Sequence, residues 1–254
     1  MSKNIAIIFA GGSGARMGAG IPKQFLEVNG KAIIIHTLEI FDEHPSIDEI
    51  YVVCKEEYIA KLNKLIAKHW IQKVVDVIPG GNTGMDSIFK GLSRAYEDNN
   101  PDDIVLIHDG VRPFVADSVV EEAINCAEES GNAITCTALF ETPIVSDDGM
   151  NVTDVPDRRT CYTAQAPQCF HLGEILDAHR KIREKNPMYE GIVDNCTLMK
   201  NLGRRVYIVK GNRGNIKVTT PEDLYIFRAM LQYRETRDAY GFSTGEIASG
   251  LKRE

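Results

Sequence analysis

Residues 4–25, NIAIIFAGGSGARMGAGIPKQF, carry an apolar, β-branched run straight into a glycine-punctuated turn and then a Pro-Lys-Gln-Phe segment. A short run that is apolar from Ile5 to Ala10 and stops at Gly11-Gly12 predicts a strand buried on both faces. Ala10, Gly11, Gly12 and Gly14 bring small residues and free backbone N–H groups to the turn, and Arg16 and Lys23 bring two positive charges to it. The combination reads as a phosphate cradle at the carboxyl end of a first strand, although the glycines alone would equally suit a plain β-turn.

Working outward, EIYVVCK, KVVDVI, DIVLIHD, NAITCTALF and RVYIVKG repeat the apolar strand pattern. Between them AIIIHTLEIFDEH, EEYIAKLNKLIAKHW, MDSIFKGLSRAYEDN and DSVVEEAINCAEES place apolar residues three and four apart, as amphipathic helices do. Strands apolar on both faces that alternate with helices predict an α/β fold with a mainly parallel sheet between helical layers. Residues 141–163, ETPIVSDDGMNVTDVPDRRTCYT, break that rhythm with two prolines and a DDG turn, and predict a projecting β-arm. HLGEILDAHRKIREK, a stretch near 192–201 and the segment after TTPED predict further helices. No repeat or low-complexity linker interrupts the chain, which predicts one domain over 1–235 with an inserted arm, then a polar, glycine-spaced extension over 236–254.

The balance of charge is −7, from 29 Lys+Arg against 36 Asp+Glu, and the one basic cluster outside the cradle is GRR at 203–205. That argues against nucleic acid as the main partner, because phosphate contacts dominate such affinity. Six cysteines without a CxxC pair or zinc-site spacing fit a reducing compartment. The first apolar run is too short for a membrane span or a signal-peptide core, so a cytoplasmic protein is expected.

Two rival loop motifs fail on spelling. The P-loop needs Gly-Lys-Ser/Thr after four spacers, and the dinucleotide fingerprint G-x-G-x-x-G is met only loosely by Gly12, Gly14 and Met17. A dinucleotide site also wants an acid at the end of the second strand, where Val53-Cys54-Lys55 stands. A nicotinamide-dependent oxidoreductase therefore rests on the strand, loop and helix alone. The G-G-x-G-x-R-M-G…P-K-Q-F segment resembles instead the signature loop of the CTP-dependent polyol-phosphate cytidylyltransferases, which comprise 2-C-methyl-D-erythritol 4-phosphate and ribitol-5-phosphate enzymes. Further segments agree in order: Gly80-Gly81 with Asp86-Ser87 and Gly91-Leu92; His108-Asp109-Gly110-Val111-Arg112-Pro113; Arg158 with Pro167-Gln168 and Phe170; and Asn215 through Asp223, NIKVTTPED. The likeness spans about residues 4–230.

The resemblance implies a Rossmann-like, three-layer nucleotidyltransferase fold and transfer of CMP from CTP to a polyol phosphate. It implies that Arg16, Lys23 and Lys217 act catalytically and that Ala10, Gly11, Gly12, Gly14, Gly80, Gly81 and Ser87 bind the nucleotide. Gly80 and Gly81 would offer backbone donors, and Ser87 would begin or cap a helix. The acceptor would meet Asp109, Arg112, Thr142 and Arg158, the last two on an arm that reaches into a partner's site in a homodimer. Mg²⁺, or another divalent ion, would bridge the CTP phosphates near Asp109. His108 reads as a packing residue, because an anionic nucleophile needs charge neutralisation and alignment, not a base.

The chain also departs from the family pattern. Gly84 stands where many relatives have arginine; Glu141-Thr142-Pro143 replaces Asp-Thr; Val145 stands where the methylerythritol enzymes usually place a lysine; Ala166 and Val193 replace hydroxyl residues. The changes fall on the base loop and the acceptor side. The missing arm lysine and the Ala-Gly-Gly opening resemble the ribitol phosphate branch and lean the acceptor towards D-ribitol 5-phosphate, whereas the Asp-Ser…Gly-Leu helix resembles the 2-C-methyl-D-erythritol 4-phosphate branch; a third polyol phosphate or a sugar phosphate stays open as acceptor. A nucleotide-binding module without turnover is the non-enzymatic alternative.

Overall fold

The computed structural model describes residues 2–12 and 21–240, with side chains up to 236. The strands are β1 (Asn4–Ala10), β2 (Glu27–Val28), β3 (Lys31–Ala32), β4 (Glu49–Cys54), β5 (Val74–Pro79), β6 (Ile104–Asp109), β7 (Asn132–Ala138), β8 (Tyr162–His171) and β9 (Ile208–Lys210). The helices are α1 (Ile33–Glu43), α2 (Ile59–Lys68), α3 (Gly84–Asp98), α4 (Asp117–Ser130), α5 (Leu172–Lys185), α6 (Asn195–Asn201) and α7 (Pro221–Tyr240). The main sheet has the order β5-β4-β1-β6-β8-β7-β9, and every pairing except those of β8 is parallel.

The two-residue period of a strand divides β1 between two cores. Ala6 and Ile8 face one with Val52, Leu106, Leu38 and Val120; Ile5 and Ile7 face the other with Val53, Ile107, Leu92 and Leu176. Helices therefore cover both faces, as strands apolar throughout require. Gly91 lets α3 lie close on the sheet: a Cβ there would stand 2.8 Å from Ile7 and Val53 side chains. A third, smaller cluster joins Val28, Ile33, Phe114, Val218 and Phe227, and seats α7 against the β2–β3 hairpin. That helix continues through Tyr240, so the extension expected from 236 begins inside it.

The sequence pattern predicts neither the short β2–β3 hairpin nor the long strand β8. The YTAQAPQCFH of β8 is polar at its start and holds Pro167, which has no N–H for a ladder. The sheet accommodates the proline at a register shift between Ile134 and Cys136, where Thr135 Oγ1 donates to Pro167 O at 2.7 Å. Strand β9 is shorter than RVYIVKG suggested. The arm leaves β7 after Ala138 and returns at Tyr162, close to the expected limits. It is pinned by one antiparallel bridge, Val145 to Asp154, and by a turn in which Asp148 Oδ1 accepts from the N–H groups of Met150 and Asn151. Gly149, at φ 72°, supplies the left-handed residue that the DDG turn calls for.

Candidate active site

The carboxyl ends of β1, β4, β5 and β6 meet along one edge of the sheet, where open α/β sheets hold ligands. Small-ligand clefts run to about 300–1,000 Å³; here a cleft of ≈ 500 Å³ is lined by Ala10, Gly11, Gly12, Lys23, Ser87 and Asp109 among others. Arg16 and Gly14 lie outside the described residues. Lys23 opens a single helical turn after Pro22 and is buried, so its position is set by packing. Gln24, next to it, donates through Nε2 to the carbonyls of Ala10 and, at 3.3 Å, Gly12. That bond ties the cradle to the turn carrying Lys23. The sequence reading missed Gln24, although it stands inside the quoted Pro-Lys-Gln-Phe motif.

The loop at 80–87 differs from expectation in how its donors are used. Gly80 N–H donates to Cys54 O at 2.7 Å, and Gly81 N–H donates to Ser87 Oγ at 3.0 Å. Neither donor faces the cleft as a spare group. Ser87 does not cap α3: Thr83 does, its hydroxyl accepting from Asp86 N–H at 3.1 Å, while the Ser87 hydroxyl donates to Thr83 O. The Ser87 hydroxyl works instead as a rivet. A Cβ on Gly11 or Gly80 would come within 3.2 or 3.1 Å of Ser87 Oγ, so a side chain at either position would press on that hydroxyl. Asn82, Thr83 and Lys55 also line the cleft. Lys55, which the motif comparison registers only as a missing acid, puts a cation at the end of β4.

Beside this cleft, and sharing Asp109 and Lys217 with it, lies a cavity of ≈ 280 Å³ that reaches Arg112, Gln168 and Asp194. Asp109 ends β6 with its carboxylate buried; Oδ2 pairs with Arg112 Nε at 2.7 Å and Oδ1 with Lys217 Nζ at 2.6 Å. Burial alone would raise its pKa, but Lys217 and Arg112 outweigh burial and hold the carboxyl below its ordinary value. Arg112 Nη1 also donates to Asn215 O at 2.9 Å, and Val218 N–H to Val111 O, so the segment carrying Lys217 is laced to the β6 loop across a long stretch of sequence. His108 faces away from the chemistry: Nε2 lies 3.1 Å from Arg112 O, and burial holds it down to about 4, so it stays neutral and structural.

Asp109 is thus a poor metal ligand, contrary to expectation, because each of its oxygens already holds a cation. Among the described residues no group of three or more His, Cys, Asp or Glu side chains could hold a metal ion. The donor set does not fit a resident ion; a hard divalent cation would instead travel on phosphate oxygens with its own waters.

Thr142 and Arg158 line neither cavity of their own chain. Both are exposed; Arg158 Nη1 donates to Phe140 O at 2.8 Å within the arm. Around them Phe140, Ile144, Met150, Val152 and Val155 are exposed, Met150 by 85%.

A profile of the IspD family, 2-C-methyl-D-erythritol 4-phosphate cytidylyltransferase, matches residues 4–233. A Vibrio parahaemolyticus protein named ribitol-5-phosphate cytidylyltransferase is 45% identical over 239 residues, which cover 94% of this chain and 100% of that one. A Clostridium botulinum protein named 2-C-methyl-D-erythritol 4-phosphate cytidylyltransferase is 38% identical over 232 residues, 91% of this chain and 99% of the other. The crystal structure of 4-diphosphocytidyl-2C-methyl-D-erythritol synthase from Anaerococcus prevotii superposes with a TM-score of 0.77 at 30% identity, covering 91% of this chain and 96% of that chain.

Proposed function

This chain belongs to the 2-C-methyl-D-erythritol 4-phosphate cytidylyltransferase family, and on that premise we propose that it transfers CMP from CTP to D-ribitol 5-phosphate, giving CDP-ribitol and pyrophosphate. The observation that carries the reading is the junction of the two cavities. A glycine cradle with Lys23 opens directly onto a buried carboxylate that holds two cations, so two polyanions can lie side by side.

In this reading an acceptor phosphate oxygen attacks the α-phosphorus of CTP, and the bond from that phosphorus to the bridging oxygen breaks to release pyrophosphate. Lys23, with Arg16, neutralises the triphosphate; Lys217 and Arg112, aimed by Asp109, hold the acceptor phosphate in line. The nucleophile is already an anion, so the neutral His108 has no proton to take. Mg²⁺ enters as part of the CTP substrate. Ala10, Gly11, Gly12, Gly80, Gly81 and Ser87 shape the nucleotide wall, and Gly14 binds the nucleotide with them. The unit is one nucleotidyltransferase domain with the arm inserted, and it works in the cytoplasm; no helix among the described residues is long and apolar enough to cross a membrane.

The exposed apolar arm supports a homodimer in which Thr142 and Arg158 complete the partner's acceptor site. The name of the clostridial relative favours 2-C-methyl-D-erythritol 4-phosphate as the second reading. Pyrophosphate release from CTP and Mg²⁺ with a panel of polyol phosphates separates the two, with Lys23→Ala as control. Turnover with ribitol 5-phosphate alone is expected; turnover with the methylerythritol phosphate alone would replace that acceptor, and CTP binding without turnover would leave a binding module.

A further inference from the structure

A file of polar contacts that takes no part in this reaction, hydrogen-bonded from Tyr189 onward, joins the nucleotide loop to the wall of the acceptor cavity. At the loop, Asp86 Oδ2 accepts from Asn82 N–H at 3.2 Å, and Oδ1 pairs with Arg183 of α5. The Arg183 guanidinium lies 4.3 Å from the Phe89 ring centroid and 5.8 Å from that of Tyr189. Tyr189, buried and held at φ 56°, places its hydroxyl 2.7 Å from His179 Nδ1. His179 Nε2 stands 3.0 Å from Asn195 Oδ1, and Asn195 gives Nδ2 and its backbone N–H to Gln168 Oε1 at 3.1 and 3.2 Å. Gln168 Nε2 then donates to Asp194 Oδ2 at 3.0 Å, and Gln168, Asp194 and Asn195 all line the acceptor cavity.

The direction of every bond from Tyr189 onward is fixed by chemistry. A backbone N–H only donates, so the atom of Gln168 that faces Asn195 is Oε1, and its amide nitrogen faces the Asp194 carboxylate. The Asn195 amide nitrogen shares that Oε1, which leaves its Oδ1 for His179. His179 must therefore carry its proton on Nε2, and the bare Nδ1 accepts from the Tyr189 hydroxyl. Burial, opposed by the bond to Asn195 and aided by the Arg183 charge, holds His179 down to about 4, so protonation does not scramble this order near neutrality.

We infer that this file is a strut that sets the nucleotide loop and the acceptor cavity in register, with Tyr189 and His179 as positioning residues for both substrates. The inference rests on the reading that the cleft takes CTP and the adjoining cavity takes the polyol phosphate. In-line transfer between two polyanions tolerates little misplacement; a shift of about 1 Å can cost on the order of 10²-fold in rate. A directed file of bonds between rigid elements fixes that spacing better than apolar packing, which allows side chains to slide.

Tyr189→Phe keeps the ring and the backbone and deletes the hydroxyl. It should raise KM for both CTP and acceptor several-fold and lower kcat about tenfold. Tyr51→Phe is the matched control, since the buried Tyr51 places its hydroxyl in a part-buried network with Glu49, Asp98 and Asn99 at the far end of α3. It should lose similar Tm while keeping wild-type constants. Unchanged KM values in Tyr189→Phe, or equal kinetic losses in Tyr51→Phe, would overturn the strut. The ¹⁵N imidazole shifts of the substrate-free protein give a reading independent of turnover: His179 should be the Nε2–H tautomer, and an Nδ1–H tautomer would overturn the inference. If the wild-type protein turns over no polyol phosphate, the functional reading fails by itself. Calorimetric CTP affinity, expected to fall in Tyr189→Phe and unchanged only if the strut is wrong, then decides the strut at the nucleotide loop.

Discussion

The Asp109 cluster and the β-arm both carry acceptor-side cations, yet they are built in opposite ways. Asp109, Arg112 and Lys217 pair with one another within one chain, around a carboxylate whose side chain is 8% exposed. The arm pairs with itself, through Arg159 to Asp157 and Arg158 to Phe140 O, meets the body where Arg213 lies over the Phe140 ring, and leaves Ile144, Met150, Val152 and Val155 exposed. A charge cluster can be preorganised where packing fixes its geometry and water is excluded. An arm with one bridge and no core has no such means, so its precision must come from a surface that covers it.

The largest expected effect comes from breaking the preorganised side. Asp109→Asn removes the charge that aims Lys217 and Arg112, and leaves two cations without their buried partner. Activity should fall by about 10²–10³-fold, and stability by roughly 1–3 kcal/mol, because Arg112 loses a buried partner while Lys217, 42% exposed, is still hydrated. Equal loss in Asp109→Asn and in an arm variant, with no change in Tm for either, would erase the contrast between the two regions.

A smaller loss tests the arm. Arg158→Ala and Lys23→Ala should each be impaired, but an equal mixture should regain about a quarter of wild-type activity, because half of randomly assorted dimers carry one intact site of two. No recovery after subunit exchange would place Arg158 in its own chain's site or remove it from catalysis.

The third effect is graded and sharpens the comparison by pH. His108 and His179 have folded pKa values pushed down to about 4, by burial first in each case. The unfolded chain therefore binds more protons between pH 6.5 and 4, so their contribution is complete above the ordinary histidine pKa and is lost as pH falls through that window. Tm should decline across it, and His179→Gln should flatten the decline. The Val145–Asp154 bridge of the arm, read by hydrogen exchange, should show no matching transition, since no histidine lies in residues 141–163.

What was readable in advance follows from which interactions are local. β1 and α4 fall where NIAIIFA and DSVVEEAINCAEES end, because burial on both faces and helical spacing are written in consecutive residues. The DDG turn and the arm limits were legible for the same reason. β8 was not, because its strand state depends on two neighbours and on a bulge that absorbs Pro167. Ser87 was assigned the wrong local task, since Thr83, an equally good capping residue, stands four positions earlier.

The sequence by itself determined the strand-and-helix alternation, the glycine cradle, the cations available to it and the family. Each of these is carried by composition, by periodicity or by motifs within a short stretch. Tertiary structure alone decided that Asp109 pairs its two oxygens with Arg112 and Lys217, that Gly80 and Gly81 spend their donors inside the loop, and that Arg183 and Tyr189 reach His179 and Asn195. Those outcomes turn on which distant groups share a buried volume, and a buried polar atom takes the partner that the fold puts within reach.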